Sequence, residues 1–437
     1  MKRINRRGFL AVSGASAAAA LTGCATGAPR KTVQAATINH ACIGVGGMMG
    51  SNDLKNFLSH PRARIAAICD VDANHLKKAA ELVPEARRYT DWREMLAKEG
   101  DQIDSVNATV PDHMHLPIAL AAMRAGKHVY CQKPLCHDVF EVRMLTHAAR
   151  TYNVQTQMGI QIHAETAVKR AVELVNSGVI GKVRQVDIFS DKNWGGGEKP
   201  TDTPPVPQTL DWDLWLGPAA TRPYHPTYLP GNWRRWWDFG TGTLGDMGCH
   251  IIDPVWWALD LTYPTSIEAT PGPFNDQTYP QATVVKWEFP ARGDLPPVTV
   301  TWCDGANRPD RPVELEEGRN LPGQGGLYYG DKGVILAPHM SSPRLIPDAK
   351  MKEIDAPEPF LERGVNHYQD WIRACKGGPK PSANFDYSGP LSEAILLGNV
   401  AAKAGAKIEW DAAGMTITNN DQANAWLLRK YRDGWTL

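Results

Sequence analysis

The chain has no excess of charge of either sign: 47 Lys and Arg are matched by 47 Asp and Glu across 437 residues. That balance removes the broad electrostatic case for nucleic acid or an anionic membrane surface as a partner. Cysteines are few, eight in all, and none stands in a Cys-x-x-Cys or Cys/His spacing that would form a zinc site. His113 and His115 are close in sequence, but two histidines without a placed third ligand do not make a metal site, and none is expected. Beyond the leader no apolar run is long enough to span a bilayer. No internal repeat is present. What is plentiful is tryptophan, with 15 residues.

Residues 1–36 read as a targeting segment rather than part of the fold. Asn5-Arg6-Arg7-Gly8-Phe9-Leu10 looks like a twin-arginine export signal, followed by an alanine-rich stretch to Leu21. Leu21-Thr22-Gly23-Cys24 resembles a lipoprotein cleavage box, with Cys24 as the lipid anchor and the residues to Ala36 as a tether. The expected partner is therefore the twin-arginine machinery, and the expected location is periplasmic or membrane-anchored. That route carries folded proteins, which suits an enzyme that loads a cytoplasmic cofactor before leaving. Cys42, Cys69 and Cys131 fall in or beside strand-like apolar runs, as small buried thiols do.

The length exceeds that of a usual single core, so two domains are expected after the leader, over 37–155 and 156–437. In the first, strand-like runs (Thr37–Gly44, Arg64–Asp70, Ile103–Val110, His128–Gln132) alternate with helical ones, of which Leu116–Ala125 stops at Gly126. That alternation predicts a parallel sheet covered on both faces, a Rossmann-like α/β domain. In the second, Val183–Ser190, Ala282–Phe289 and Val298–Cys303 read as strands, and Gly330-Asp331-Lys332-Gly333 as a hairpin turn. Helices return at 367–375 and 392–404. The second domain is expected to be α+β, with an open, mainly antiparallel sheet.

Gly44-Val45-Gly46-Gly47-Met48-Met49-Gly50 follows a strand and precedes a helix. Glycines there permit a tight turn and let a pyrophosphate approach free N–H groups at a helix N-terminus. The pattern departs from GxGxxG, since Met49 stands where the third glycine belongs and Gly50 is one place late. Asp70 ends the next strand, where a carboxylate accepts from adenosine ribose hydroxyls and repels a 2′-phosphate, so NAD is favoured over NADP. Pro111 and His115 follow the next strand and are expected to line the nicotinamide ribose.

With Gly126-Lys127-His128-Val129, Gln132-Lys133-Pro134, Gly178-x-Ile180-Gly181 and Gly245-Asp246-Met247-Gly248-Cys249-His250-x-x-Asp253, the chain resembles the glucose–fructose oxidoreductase, inositol dehydrogenase and rhizopine-catabolism family, Gfo/Idh/MocA. The resemblance covers nearly all of the chain after the leader and is specific to the family, not to one substrate. It departs at Gln132, where the family usually has glutamate. It implies that Lys133 contacts a substrate hydroxyl beside the nicotinamide, with Asp246 and His250 opposite. It also suggests homo-oligomers through the open face of the second sheet.

The chemistry is consistent without the family. Oxidising an alcohol needs a proton acceptor; histidine titrates near neutrality, a carboxylate orients, and a lysine ammonium holds the oxygen. His250 is expected as the base, with Lys133 and Asp246 positioning the oxygen; Lys133 as base is the alternative. A glycine turn, a lone lysine before proline and a lone helical histidine each have ordinary structural roles; only their joint order points to this site. Sugar rings pack on indole, so Trp233 is a candidate substrate contact among the indoles from Trp194 to Trp257, most of which should be core. His163 and Lys192 are further substrate candidates. The expected function is an NAD(P)-dependent oxidoreductase acting on a sugar, glycoside or polyol hydroxyl. The alternatives are an NAD-dependent glycoside hydrolase working by transient oxidation and elimination, or a non-enzymatic binding lipoprotein, which only Met49 and Gln132 favour.

Overall fold

The computed structural model describes residues 37–355 and 357–436. The export motif and Cys24 lie outside the described residues. The first sheet contains β1 (Ile38–Ile43), β2 (Ala63–Cys69), β3 (Arg87–Tyr89), β4 (Ser105–Ala108), β5 (His128–Gln132) and β6 (Thr156–Gly159). All its pairings are parallel, in the order β3-β2-β1-β4-β5-β6. That is the Rossmann order expected from the alternating runs. The chain reverses direction across the sheet between β1 and β4, which opens a crevice at their C-terminal ends. β6 carries this sheet past residue 155, the boundary read from sequence.

The strands are apolar because both faces are covered. Helices Gly47–Ser59, Ala73–Leu82, Trp92–Glu99, His115–Arg124 and Val139–Thr151 flank them. Asp72, Asp91 and the Asp138/Glu141 capping box start three of these helices. Residues such as Val106, Val129, Ile68 and Phe57 have no exposure. Each large side chain of this kind contributes about 1.5–3 kcal/mol through burial.

The second sheet contains β7 (Val183–Ser190), β8 (Ser266–Pro271), β9 (Thr283–Phe289), β10 (Val298–Asp304), β11 (Gln324–Gly330), β12 (Gly333–Pro338), β13 (Arg344–Ile346), β14 (Ile408–Asp411) and β15 (Thr416–Ile417). Its order is β13-β12-β11-β7-β10-β9-β8-β14-β15. Only β7 and β10 run parallel among its ladders. The β11–β12 hairpin turns at Gly330↔Gly333 as the sequence implied. Alternation sets the faces: Val285, Trp287, Phe289, Val300 and Trp302 are buried, while Lys286, Glu288, Thr299 and Thr301 between them are not. Helices Thr166–Asn176, Cys249–Ala258 and Phe385–Ala404 cover the buried face.

The described cysteines are all free and buried. No described helix is long and apolar enough to cross a membrane.

Candidate active site

The glycine turn leaves β1 at Gly44, whose φ of +80° suits only glycine, and a Cβ there would lie 2.1 Å from the Thr109 carbonyl oxygen. Gly50 fills the close-packing role that the pattern assigns to position 49. A Cβ on Gly50 would lie 2.7 Å from the Gly44 carbonyl oxygen, so the helix sits directly on the strand. Helix Gly47–Ser59 has no side-chain cap and no acid in its first turn. Its first N–H groups are available to a pyrophosphate, as a dinucleotide requires. Met48 is 80% exposed over this turn, and Met49 is half-buried.

Asp70 turns its carboxylate back onto the same loop. Oδ2 accepts from Val45 N and Gly46 N at 3.0 Å, and Oδ1 accepts from Asp72 N at 3.0 Å and lies 3.3 Å from His75 Nδ1. Asp70 thus shapes the turn as well as standing at the ribose position. The helix-cap role near it belongs to Asp72, which accepts from Asn74 N.

Gln132 departs from the family's glutamate for a local reason. Its Nε2 donates to Asp53 Oδ2 at 2.8 Å, and Asp53 also accepts from Thr109 Oγ1 at 2.7 Å and Tyr368 OH at 2.6 Å. Asp53 has no exposure. Burial raises its pKa, opposed by those donors. A glutamate at position 132 would place two carboxylates together. Gln132, a cofactor candidate by its place beside Lys133, commits its amide nitrogen to Asp53 and so ties β5 to the glycine-turn helix. His115 has a similar structural part at the crevice. Its Nδ1 lies 2.8 Å from the Pro134 carbonyl oxygen and its Nε2 3.0 Å from that of Val110, so it staples two crevice loops. Pro111 begins the loop that this staple holds.

Lys133 leaves the C-terminal end of β5. Its Nζ donates to Asp246 Oδ1 and to the Asp246 carbonyl oxygen, both at 2.7 Å. Arg234 Nε reaches the same Oδ1 at 2.9 Å. Burial alone would raise the Asp246 pKa, but the two cations outweigh it and hold the carboxylate well below its usual range. Asp246 lies in a π-helical turn, Leu244–Gly248, that runs into helix Cys249–Ala258. The regular helical path between Asp246 and His250 is thus widened by one turn of π-helix, a common device at functional sites.

His250 is half-buried, with Nδ1 enclosed and without a protein partner. Burial, then the Lys133 charge, push its pKa well below the usual imidazole value, so the ring is neutral at pH 7. His339, at the end of the β11–β12 hairpin, lies 5.7 Å from it between ring centroids. Burial, then Lys192 and Lys133, lower His339 to about 4. Sequence reasoning missed His339; a lone hairpin histidine carries no motif. It also missed Asp53, although an acid beside Leu54 on a buried helical face was a visible signal.

His163 does not meet this site. It is 1% exposed, with Nδ1 2.9 Å from Asp253 Oδ1 and its ring stacked on Trp257 at 4.3 Å. The substrate role expected for it is replaced by a buried packing one. Lys192 is exposed beyond the end of β7. Trp233 is half-buried with the Arg234 guanidinium 4.3 Å above its ring. Trp215, Trp236 and Trp256 are core. No cluster that could hold a metal occurs among the described residues.

The profile of the oxidoreductase family's NAD-binding Rossmann fold matches residues 38–160, and that of its C-terminal alpha/beta domain matches residues 164–437. The chain belongs to the Gfo/Idh/MocA oxidoreductase family. Its first domain is an NAD-binding Rossmann fold, and the uncapped helix and acid-terminated β2 fit that cofactor. Among relatives, a levoglucosan dehydrogenase from Pseudarthrobacter phenanthrenivorans is 27% identical over 188 residues, 40% of this chain and 40% of that protein. A glycosyl hydrolase family 109 protein from Saccharopolyspora erythraea is 28% identical over 238 residues, 52% of this chain and 45% of that protein. The chain thus spans about half the length, or less, of the curated relatives it matches. The structure of the WlbA dehydrogenase from Bordetella pertussis, in complex with NADH and UDP-GlcNAcA, superposes with a TM-score of 0.61 at 18% identity. That match covers 86% of this chain and 99% of that one, and shows a shared fold.

Proposed function

We propose that the protein is an NAD-dependent oxidoreductase acting on a hydroxyl of a sugar, glycoside or polyol. The observation that carries this reading is Lys133, held by Asp246 at the C-terminal end of β5 and acting electrostatically on the neutral His250 ring. An ammonium has three N–H donors, and two are spent on Asp246. The third is left for a substrate oxygen. Asp246, itself braced by Arg234, fixes the lysine ammonium where it can stabilise negative charge developing on that oxygen. His250, neutral and with its second ring nitrogen free, accepts the hydroxyl proton. When bound, NAD supplies the two-electron acceptor for the alcohol carbon. Met48, Met49 and Gly47 would hold the dinucleotide at the helix N-terminus, and Asp70 would meet the ribose.

The levoglucosan dehydrogenase relative supports a carbohydrate substrate. The leader motif supports twin-arginine export with a lipid anchor at Cys24 and NAD retained in place. The open face of the second sheet supports a homo-oligomer. The decisive experiment incubates purified protein with NAD and a panel of sugars, glycosides and polyols, following reduced nicotinamide and products together. Net reduction of NAD with an oxidised product is expected. Absence of any redox change or product with every member of the panel would overturn the reading.

A second reading, net glycoside hydrolysis through transient oxidation, is favoured by the family 109 relatives. It is opposed by Lys133, because the family resemblance implies a hydrolase branch without the Lys-Pro pattern. Release of free sugar with no net change in NAD redox state would establish it.

A further inference from the structure

The candidate site holds more positive charge than its carboxylates balance. Asp246 is shared by Lys133 and Arg234, so that trio is itself cationic. Asp112 is a further carboxylate that feels both cations; it is buried and takes a hydrogen bond from Thr241 at 2.6 Å. Two more cations stand on segments that adjoin the trio. Lys192 follows β7, whose Ser190 pairs with Gln324, and the Gln324 carbonyl oxygen accepts from His339 N. Lys192 therefore emerges at the sheet edge that carries His339. Two residues on, Trp194 N donates to Thr243 Oγ1 at 2.7 Å, which lays this segment against the turn bearing Asp246. Arg235 follows Arg234, with its guanidinium 3.6 Å from where a Gly197 Cβ would stand, in the same loop.

Among the described residues no carboxylate pairs with Lys192 or Arg235, and Arg235 Nε is enclosed without a partner. Two nearby acids are engaged elsewhere: Asp191 lies against Gly323 and Gln324, and Asp238 pairs with Arg222. His250 and His339 stay neutral and add no charge at pH 7. A half-buried guanidinium without a counter-ion is costly unless a ligand completes it. Trp233 and Trp194 lie under Arg234, giving an apolar wall for a sugar ring.

We propose that the substrate is an acidic carbohydrate, whose carboxylate or phosphate is held by Lys192 and Arg235 while its reacting hydroxyl lies on Lys133. This rests on the oxidoreductase reading and adds the charge of the substrate.

The test compares glucuronate, galacturonate and gluconate with glucose, galactose and glucitol, and adds glucose 6-phosphate as a separate arm. Both turnover and binding to the NAD-loaded protein are measured, the latter by calorimetry. Acids should exceed their neutral counterparts in kcat/KM, or in affinity, by about tenfold or more, as a charge-assisted contact allows. The phosphate arm tells which anion is preferred. Lys192→Gln, at an exposed position, should raise KM about tenfold more for the acid than for the neutral sugar. Arg235→Gln should act in the same direction. Neutral sugars binding as well as acids, or an acid preference untouched by both substitutions, would overturn the proposal. Acids that bind preferentially but never reduce NAD would leave the charge selection standing and remove the oxidoreductase reading instead.

Discussion

Restoring the family's glutamate should harm this protein. In Gln132→Glu a carboxylate replaces the amide that donates to Asp53 at 2.8 Å, inside a network with no solvent exposure at Asp53. Two carboxylates at that distance do not both ionise, so the folded variant takes up a proton and shares it. Keeping a carboxyl of ordinary pKa near 4.3 protonated at pH 7 costs about 3.7 kcal/mol, and at pH 5 about 1 kcal/mol. The introduced group has a raised folded pKa. Its stability contribution is thus present below the unfolded value and lost as pH rises through the folded one. Urea unfolding of wild type and variant at pH 5, 6 and 7 isolates the effect, because other titrations cancel in the difference. The variant should be weaker by about 3 kcal/mol at pH 7, and the gap should close towards pH 5. Adding Asp53→Asn to the variant should remove most of the penalty. A gap that is below 1 kcal/mol at pH 7, or that does not change with pH, would refute the claim that Asp53 dictates Gln132.

Gly50→Ala would place a Cβ 2.7 Å from the Gly44 backbone oxygen, so the helix must move off the strand; NAD titration should show at least about tenfold weaker binding, and unfolding a loss of about 1–3 kcal/mol. Lys133→Met should lower kcat by about a hundred- to a thousand-fold while NAD binding is retained, which steady-state kinetics and nucleotide titration separate. Acid should destabilise the fold before most carboxylates titrate. Burial lowers His40 to about 4 despite its Asn107 hydrogen bond, and lowers His367 to about 3. The unfolded chain protonates these rings below about 6.5 and the folded one does not, so stability falls as pH drops from 6.5 towards 4, by about 3 kcal/mol for His40. Thermal unfolding across that range should show the fall, and His40→Gln should flatten it.

The parallel sheet was legible because its strands are buried on both faces and alternate with helices, a pattern written in local runs such as Ile65–Cys69. β6 was not, since Thr156–Gly159 is short and mixed in character. Lys133 and Asp246 were legible as letters within motifs. Their ion pair, and the Arg234 that joins it, depend on a register between domains that no local run records. His163 shows the reverse failure: read as a substrate candidate, it is held instead by Asp253, 90 positions away.

The two departures from motif have the same physical explanation, and together they remove the support for a non-enzymatic scaffold. Met49 looked like a lost glycine, but what the turn requires is a missing Cβ where helix meets strand, and Gly50 supplies it. Gln132 looked like a lost carboxylate, but Asp53 already provides one in the same pocket, and a second would have to carry a proton. A motif counts letters at fixed spacing, whereas the fold counts atoms and charges at fixed positions in space. In both places the geometry that a dinucleotide and an anchored lysine need is kept, by a neighbour one residue on in the first case and 79 residues back in the second.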